Sequence, residues 1–393
     1  MSVASSLFWI GLALLAWVYA GYPLLLGLLK VLGVRRRVRY GAIEPRITVI
    51  VSAYNERQVI RAKLDNCRSL EYPLELLEVI VVSDASDDGT DDIVLAYGPP
   101  VHLLRMETRG GKTVGLNAAL RAARGDIIVF SDANAMYQRD AIRQLVRNFA
   151  DPTIGAVTGE SRYEIGYNDA STESEGTYWS YEIWIKSLES SLGSVVGGDG
   201  AIYAIRRGLY QDLDPGDLSD FVNPLQIVAQ GYRNVYEPAA ISMEGGAEGY
   251  GAEFRRKVRI VNRAWRATFK MRRLLNPMRH GFFAFQFFSH KVLRWLVPWL
   301  MLLVLITNVA VAGVAPVYAL LLAGQGLFYV LAGLGSFLAD SGGLLGRLTS
   351  IPYYFCLVNL ASLIALVEVI GGKEYRTWSS SRPDAAPDTA VRP

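Results

Sequence analysis

The chain has 393 residues, 51% hydrophobic and 20% charged, with a mean hydropathy of +0.21. That balance excludes an ordinary soluble chain, and it leaves enough charge for a folded polar domain beside several membrane segments. The net charge of +3 is small and the basic residues gather at the ends of apolar stretches, so a nucleic-acid partner is not expected. Cys67 and Cys356 have no metal-type spacing and exclude a disulfide framework.

Leu7 to Leu29 is apolar and uncharged, and Arg35, Arg36, Arg37 and Arg39 follow it. A span needs roughly 20 apolar residues and basic residues collect on the cytoplasmic side, so an uncleaved anchor is expected, with residue 40 onward in the cytoplasm. Arg46 to Ser52 reads as a strand buried on both faces, Arg57 to Ser69 as a helix, and Leu77 to Val82 as a second buried strand. Asp91 to Ala96 reads as helix, Val101 to Arg105 as strand, Thr113 to Arg124 as helix and Asp126 to Phe130 as strand. This alternation predicts a doubly wound, mostly parallel α/β sheet. Further apolar stretches lie at Trp295 to Val314, Val317 to Leu338 and Ile351 to Ile370. Three crossings there would leave the tail outside, whereas Lys373, Arg376 and Arg382 favour inside, so one segment is open to a re-entrant or interfacial reading. The expected organisation is an anchor at 1–34, an α/β domain at 40–250, amphipathic interfacial helices at 251–290, transmembrane helices at 291–372 and a disordered tail at 373–393.

Ligands of such sheets bind beyond the carboxyl ends of the strands. Those ends run into Ala53-Tyr54-Asn55-Glu56, Ser83-Asp84-Ala85-Ser86-Asp87-Asp88-Gly89-Thr90 and Ser131-Asp132-Ala133-Asn134. Carboxylates gathered there repel one another unless a cation or donor groups sit among them. Single Asp and Asn residues also serve as ordinary caps and turns, but that explanation weakens for the whole set.

Together with Arg109-Gly110-Gly111-Lys112, Gly198-Asp199-Gly200-Ala201, Ser219-Asp220 and Gln230-Gly231-Tyr232-Arg233, these segments resemble, in order, the family-2 glycosyltransferases of GT-A fold. The likeness is to the membrane-integrated, cellulose-synthase-like branch that includes chitin-oligosaccharide and hyaluronan synthases, and it covers residues 45 to about 270. It implies an inverting, metal-dependent hexosyltransferase in the inner (plasma) membrane. Such an enzyme moves a sugar from a nucleotide-sugar donor, expected to be UDP-linked, to a membrane lipid or glycan acceptor in cell-surface polysaccharide or glycolipid synthesis. Ala53, Tyr54 and Glu56 would line the nucleotide pocket, Asp84 would meet the base, and Lys112 the nucleotide or its phosphates. Asp132 with Asn134 would hold Mg²⁺ or Mn²⁺ against the donor, Asp220 would be the general base, and Gly198, Asp199 and Gly200 would form the acceptor-side loop. Three departures stand out: Asn134 replaces the second acid of Asp-x-Asp, Ser219 replaces the first acid of the base pair, and Gln-x-x-Arg-Trp is absent. The last weighs against processive polymer synthesis.

Glu253 to Leu275 carries arginines at helical spacing with aromatic faces, as expected of a helix on an anionic membrane surface; Arg263 and Trp265 are its candidates for the site. The aromatic run from Phe282 to Phe288 reads as an interface belt, with His290 interfacial. Aromatics from Tyr178 to Trp184 suit either acceptor stacking or packing. A non-catalytic membrane scaffold or transport subunit with a degenerate transferase fold is the competing reading, favoured only by Asn134 and Ser219.

Overall fold

The computed structural model describes residues 2–163, 170–245, 249–338 and 343–376. Eight strands form one sheet: β1 (Ile47–Ala53), β2 (Leu77–Ser83), β3 (Val101–Arg105), β4 (Ile127–Asp132), β5 (Met136–Tyr137), β6 (Ile154–Tyr163), β7 (Tyr203–Arg206) and β8 (Arg233–Glu244). Their order is β3-β2-β1-β4-β7-β6-β8-β5. The β3-β2-β1-β4 half is parallel throughout, while β7 runs antiparallel to both β4 and β6, so the sheet is mixed. Every residue of β1 is buried, as its Val/Ile-rich run requires of a strand covered on both faces.

The helices are α1 (Val3–Ala16), α2 (Tyr22–Val31), α3 (Arg57–Arg68), α4 (Thr90–Leu95), α5 (Lys112–Ala122), α6 (Ala141–Val146), α7 (Ala170–Leu192), α8 (Ser219–Ala229) and α9 (Gly249–Lys270). Then follow α10 (Pro277–His280), α11 (Phe282–Phe287), α12 (Leu293–Trp295), α13 (Val297–Val311), α14 (Pro316–Leu338) and α15 (Gly343–Ile370). Within the α/β region the strands and helices expected from periodicity fall within two residues of those observed. Val3–Val31, Pro316–Leu338 and Leu348–Ile370 are long and apolar enough to cross a membrane, and Phe282–Trp295 meets Val297–Val311 at a 61° bend. The chain is a membrane protein by this measure. The turn at Asp340 and the tail beyond Ser380 lie outside the described residues.

Two π-helical turns, Trp17–Gly21 and Phe288–Val292, interrupt the membrane helices and meet each other: Trp17 Nε1 donates to Ser289 Oγ at 3.3 Å. They aim polar groups at α7. Glu189, fully buried, accepts from Tyr22 OH at 2.5 Å and Val196 N–H at 3.1 Å, with His290 Nδ1 2.8 Å away. Buried Glu182 lies 3.3 Å from His290 Nε2 and accepts from Arg294. Burial alone would raise the Glu182 carboxyl, but Arg294, Lys291 and His290 hold it well below the usual range. The interfacial reading of His290 is therefore corrected. Its ring is 2% exposed because two carboxylates of α7 recruit it inward.

Breaking a buried network by removing one member strands its partners. Glu189→Ala is expected to lose about 3 kcal/mol or more of stability, read by thermal melting in detergent, with a smaller loss for Glu189→Gln.

Candidate active site

A cavity of about 660 Å³ opens at the carboxyl ends of β1 and β4. Glu56, Lys112, Asp132, Asn134, Gly198, Asp199, Gly200, Asp220 and Arg263 line it. Strand β4 delivers Asp132 in register with Ser52 of β1, and α5 begins at Lys112, whose ammonium donates to Asp132 Oδ1. Burial would lower the Lys112 ammonium; pairing with Asp132 outweighs it and raises it.

The loop from Val195 to Gly200 carries the geometry. Its carbonyls at Val195 and Gly197 accept from Asn234 Nδ2 at 3.2 and 2.8 Å, and Val196 is held by Glu189. A Cβ on Gly198 would lie 2.6 Å from the Asp220 carbonyl oxygen, so only glycine lets the loop press against the start of α8. At Gly200 a Cβ would sit 3.7 Å from Asp220 Oδ2 and 3.9 Å from Asp132 Oδ2. Those two carboxylates thus face one small volume. Burial raises the Asp220 carboxyl, Lys112 partly offsetting it and Asp199 and Asp132 adding to it. Asp199 is occupied structurally, accepting from Ser161 Oγ at 2.6 Å and Ala201 N–H at 3.3 Å.

The other expected site residues lie elsewhere. Asp84 spends its carboxylate on the Gly110 amide at 2.8 Å and the Gly111 amide at 3.0 Å, holding the turn that starts α5. Tyr54 lies under Arg109, whose guanidinium carbon is 3.7 Å from the ring centroid, and Ala53 closes β1 by accepting from Asp84 N–H at 2.9 Å. None of these three lines the cavity. Trp265 does not reach it either. It packs with Val261, Val292 and Ala365, stacked on Phe269 at 5.5 Å between ring centroids. The basic face of α9, expected on a membrane surface, instead turns inward: Arg256, Lys257, Arg259 and Arg263 line the cavity, and Arg263 Nε donates to Gly216 O at 3.1 Å. Tyr178 lies among residues whose side chains are outside the described set, while Trp179 lines the cavity and donates to Ser161 O at 2.8 Å.

Glu244 and Lys63 join the site without having stood out in the sequence. Glu244, half-buried at the end of β8, lines the cavity; burial, then Asp132 and Asp199, push its carboxyl up to about 8. Lys63 of α3 is fully buried and donates to Ala135 O beneath the Asp132 loop. Nothing local flags either residue, since only the pairing of Met136 with Met243 brings Glu244 beside that loop.

A mixed sheet of this order with acidic groups at its parallel strand ends defines a GT-A glycosyltransferase domain. Residues 48–213 match the family described as Glycosyl transferase family 2, and they form a domain of that family. A mannosyltransferase from Pyrobaculum calidifontis, solved with GDP-Man and Mn²⁺, superposes with a TM-score of 0.69 at 26% identity, covering 94% of this chain and 100% of that one. A probable glycosyltransferase of Bacillus subtilis is 28% identical over 238 residues, 55% of this chain and 54% of its own length. Poly-beta-1,6-N-acetyl-D-glucosamine synthase of Staphylococcus aureus is 26% identical over 220 residues, 54% of this chain and 53% of its own. The chain spans about half the length of the curated relatives it matches.

Two tests follow. Gly198→Ala, facing backbone, is expected to destabilise the fold, whereas Gly200→Ala has ordinary contact room, keeps the melting temperature and loses activity through the methyl between the two carboxylates. Glu244, with its folded pKa raised, contributes stability below the unfolded value of 4.5 that is lost as pH rises toward 8. In chelator, the parent should lose ~1–2 kcal/mol more than Glu244→Gln between about pH 5 and about pH 8.5, discounted for partial exposure.

Proposed function

We propose that this chain is an inverting glycosyltransferase that moves a sugar from a nucleotide-sugar donor, UDP-linked in our reading, to a membrane-associated lipid or glycan acceptor. The observation that carries this is the convergence of Asp132 and Asp220 on the space beside Gly200, both within 3.9 Å of one point. Asp220 accepts the proton of the acceptor hydroxyl as its oxygen bonds to the anomeric carbon and the nucleoside diphosphate departs from the opposite face. A carboxyl raised by burial is a stronger base than one in water, which suits that step.

The crowding of Asp132, Asp199, Asp220 and Glu244 fits a divalent cation, and Asp132 with Asn134 would hold it through hard oxygen donors. Among the described residues no three His, Cys, Asp or Glu side chains cluster closely enough to hold a metal unaided, so oxygens of the donor would have to help hold it. Bound there, Mg²⁺ or Mn²⁺ would neutralise the leaving diphosphate. Lys112 and Arg263 supply the protein's own positive charge to the same departing group. The mannosyltransferase solved with GDP-Man and Mn²⁺ supports a nucleotide-sugar donor and a divalent metal, its own donor being GDP-linked. Placement in the inner (plasma) membrane with the catalytic domain cytoplasmic rests on Arg35, Arg36, Arg37 and Arg39 after the first span.

Nucleoside-diphosphate release by purified protein, across UDP- and GDP-sugars with Mg²⁺ or Mn²⁺ and membrane lipid as acceptor, tests the reading. One donor should give metal-dependent release, falling about 10²-fold or more in Asp220→Asn. Release untouched by Asp220→Asn removes the base assignment, and no release with any donor removes the transferase.

A further inference from the structure

Two lysine ammoniums stand on the cavity wall with little to hold them. Lys186 of α7 is 8% exposed and lines the cavity. Among the described residues its ammonium makes no hydrogen bond: the centre of the Trp179 ring lies 4.7 Å away and Asp199 Oδ2 3.9 Å away. Lys291, also on the wall, meets His290 Nε2 at 3.4 Å and Glu182 Oε2 at 3.5 Å. The acids beside them are engaged already. Asp199 accepts from the Ser161 hydroxyl at 2.6 Å and from the Ser161 and Ala201 amides at 3.3 Å each, and Glu182 accepts from Arg294. An ammonium has three donors, and burying it without good acceptors is costly.

These cations are separate from those assigned to the departing diphosphate. The charges that act most on Lys112 are Asp132, Asp220 and Arg263, whereas those around Lys291 are Glu182, Arg294, Glu189 and Lys186. A chain of contacts orders this end of the cavity. Asp199 adjoins Gly200, beside which Asp132 and Asp220 converge. Lys186 meets Asp199, Lys291 lies by Lys186, and the Arg294 guanidinium stands 5.9 Å from the centre of the Tyr19 ring. Tyr19, in the first span, meets Phe355 of α15 at 5.3 Å between ring centroids, and both line the cavity. From the base outward the wall therefore runs through cations to apolar groups of the membrane helices. A hydroxyl-bearing head, a phosphate and a hydrocarbon tail have that same order. A neutral glycan would return only hydroxyl contacts to two buried charges, whereas a phosphate supplies both charge and acceptor oxygens.

We infer that the acceptor is a lipid whose hydroxyl-bearing head is joined to its tail through a phosphate, and that Lys186 and Lys291, with Arg294, hold that phosphate. This names the acceptor for the transferase reading of the same site and rests on it. The phosphate is bound and not consumed. The head-group oxygen bonds to the anomeric carbon, its proton passes to Asp220, the bond to the nucleoside diphosphate breaks, and the phosphodiester is carried unchanged into the product.

The test is a binding measurement on the full chain in phosphatidylcholine nanodiscs, with empty discs as blank and no donor present. Three probes share a dodecyl tail: dodecyl glucosyl phosphodiester, dodecyl glucoside and dodecyl glucuronide. Inorganic phosphate serves as competitor. The phosphodiester should bind about tenfold or more tighter than the glucoside, and Lys186→Gln and Lys291→Gln should each remove most of that preference, with melting temperature as the check on folding. Were Lys186→Gln to melt early, Lys291→Gln carries the same reading. Equal binding of glucoside and phosphodiester overturns the proposal, as does a preference that survives both substitutions. Glucuronide bound as tightly as the phosphodiester would give the cations to a carboxylate sugar, and inorganic phosphate competing on equal terms would give them to a free anion; either result overturns the lipid phosphate. No turnover is read, so failure here leaves the nucleoside-diphosphate release assay untouched, and silence in that assay leaves this one readable.

Discussion

Four of the carboxylates that line the cavity feel one another's charge, and much of the molecule is arranged to make that tolerable. Asp132, Asp199, Asp220 and Glu244 line a single cavity, where like charges at low dielectric repel strongly. Each is dealt with differently. Asp132 takes the ammonium at the head of α5, Asp199 is bound by a hydroxyl and an amide, and Asp220 and Glu244 are pushed toward protonation. The glycines at 198 and 200, the Asn234 clamp and the inward basic face of α9 serve the same balance. What reads as an active site is also the least comfortable part of the fold, as expected where chemistry requires unspent charge.

The parallel half of the sheet was legible because its strands are unbroken β-branched runs and its helices end in Gly or basic residues. Asp132 and Asp220 were legible for a related reason: each sits directly at the edge of a regular element, so local order fixes its direction. Asp84 and Trp265 lie outside the cavity lining, and residue type alone does not say whether a group faces a ligand or its own scaffold. The Asp84 carboxylate is consumed by two backbone amides, and Trp265 by interhelical packing. Glu244 and Lys63 needed long-range pairing to come near the site, and no local pattern records that. His290 shows the same failure from the other direction: its aromatic neighbours suggested an interface, while its partners lie a hundred residues earlier on α7.

The basic stretch of α9 illustrates how amphipathicity underdetermines environment. A charged face can meet lipid headgroups or an internal anionic cavity, and both satisfy it. Here the cavity wins because Arg263 finds carbonyls at Gly216 and Asp217 on one side while Val258, Val261 and Trp265 find α15 on the other. The helix thereby joins two solvents, a polar site above and a greasy layer below.

The paired π-turns carry a consequence for how this chain can vary. Each is in effect one surplus residue threaded into a helix. Excising that residue would restore regular winding and swing everything beyond it by about 100°. In the first helix this would carry Tyr22 away from Glu189; in the later one it would shift His290 relative to Trp295. Because the turns meet at Trp17 and Ser289, the two surpluses are mechanically matched, and a length change in one would be compensated only by a change in the other. Insertions and deletions in these two segments should therefore be inherited as a pair, like the teeth of meshed gears.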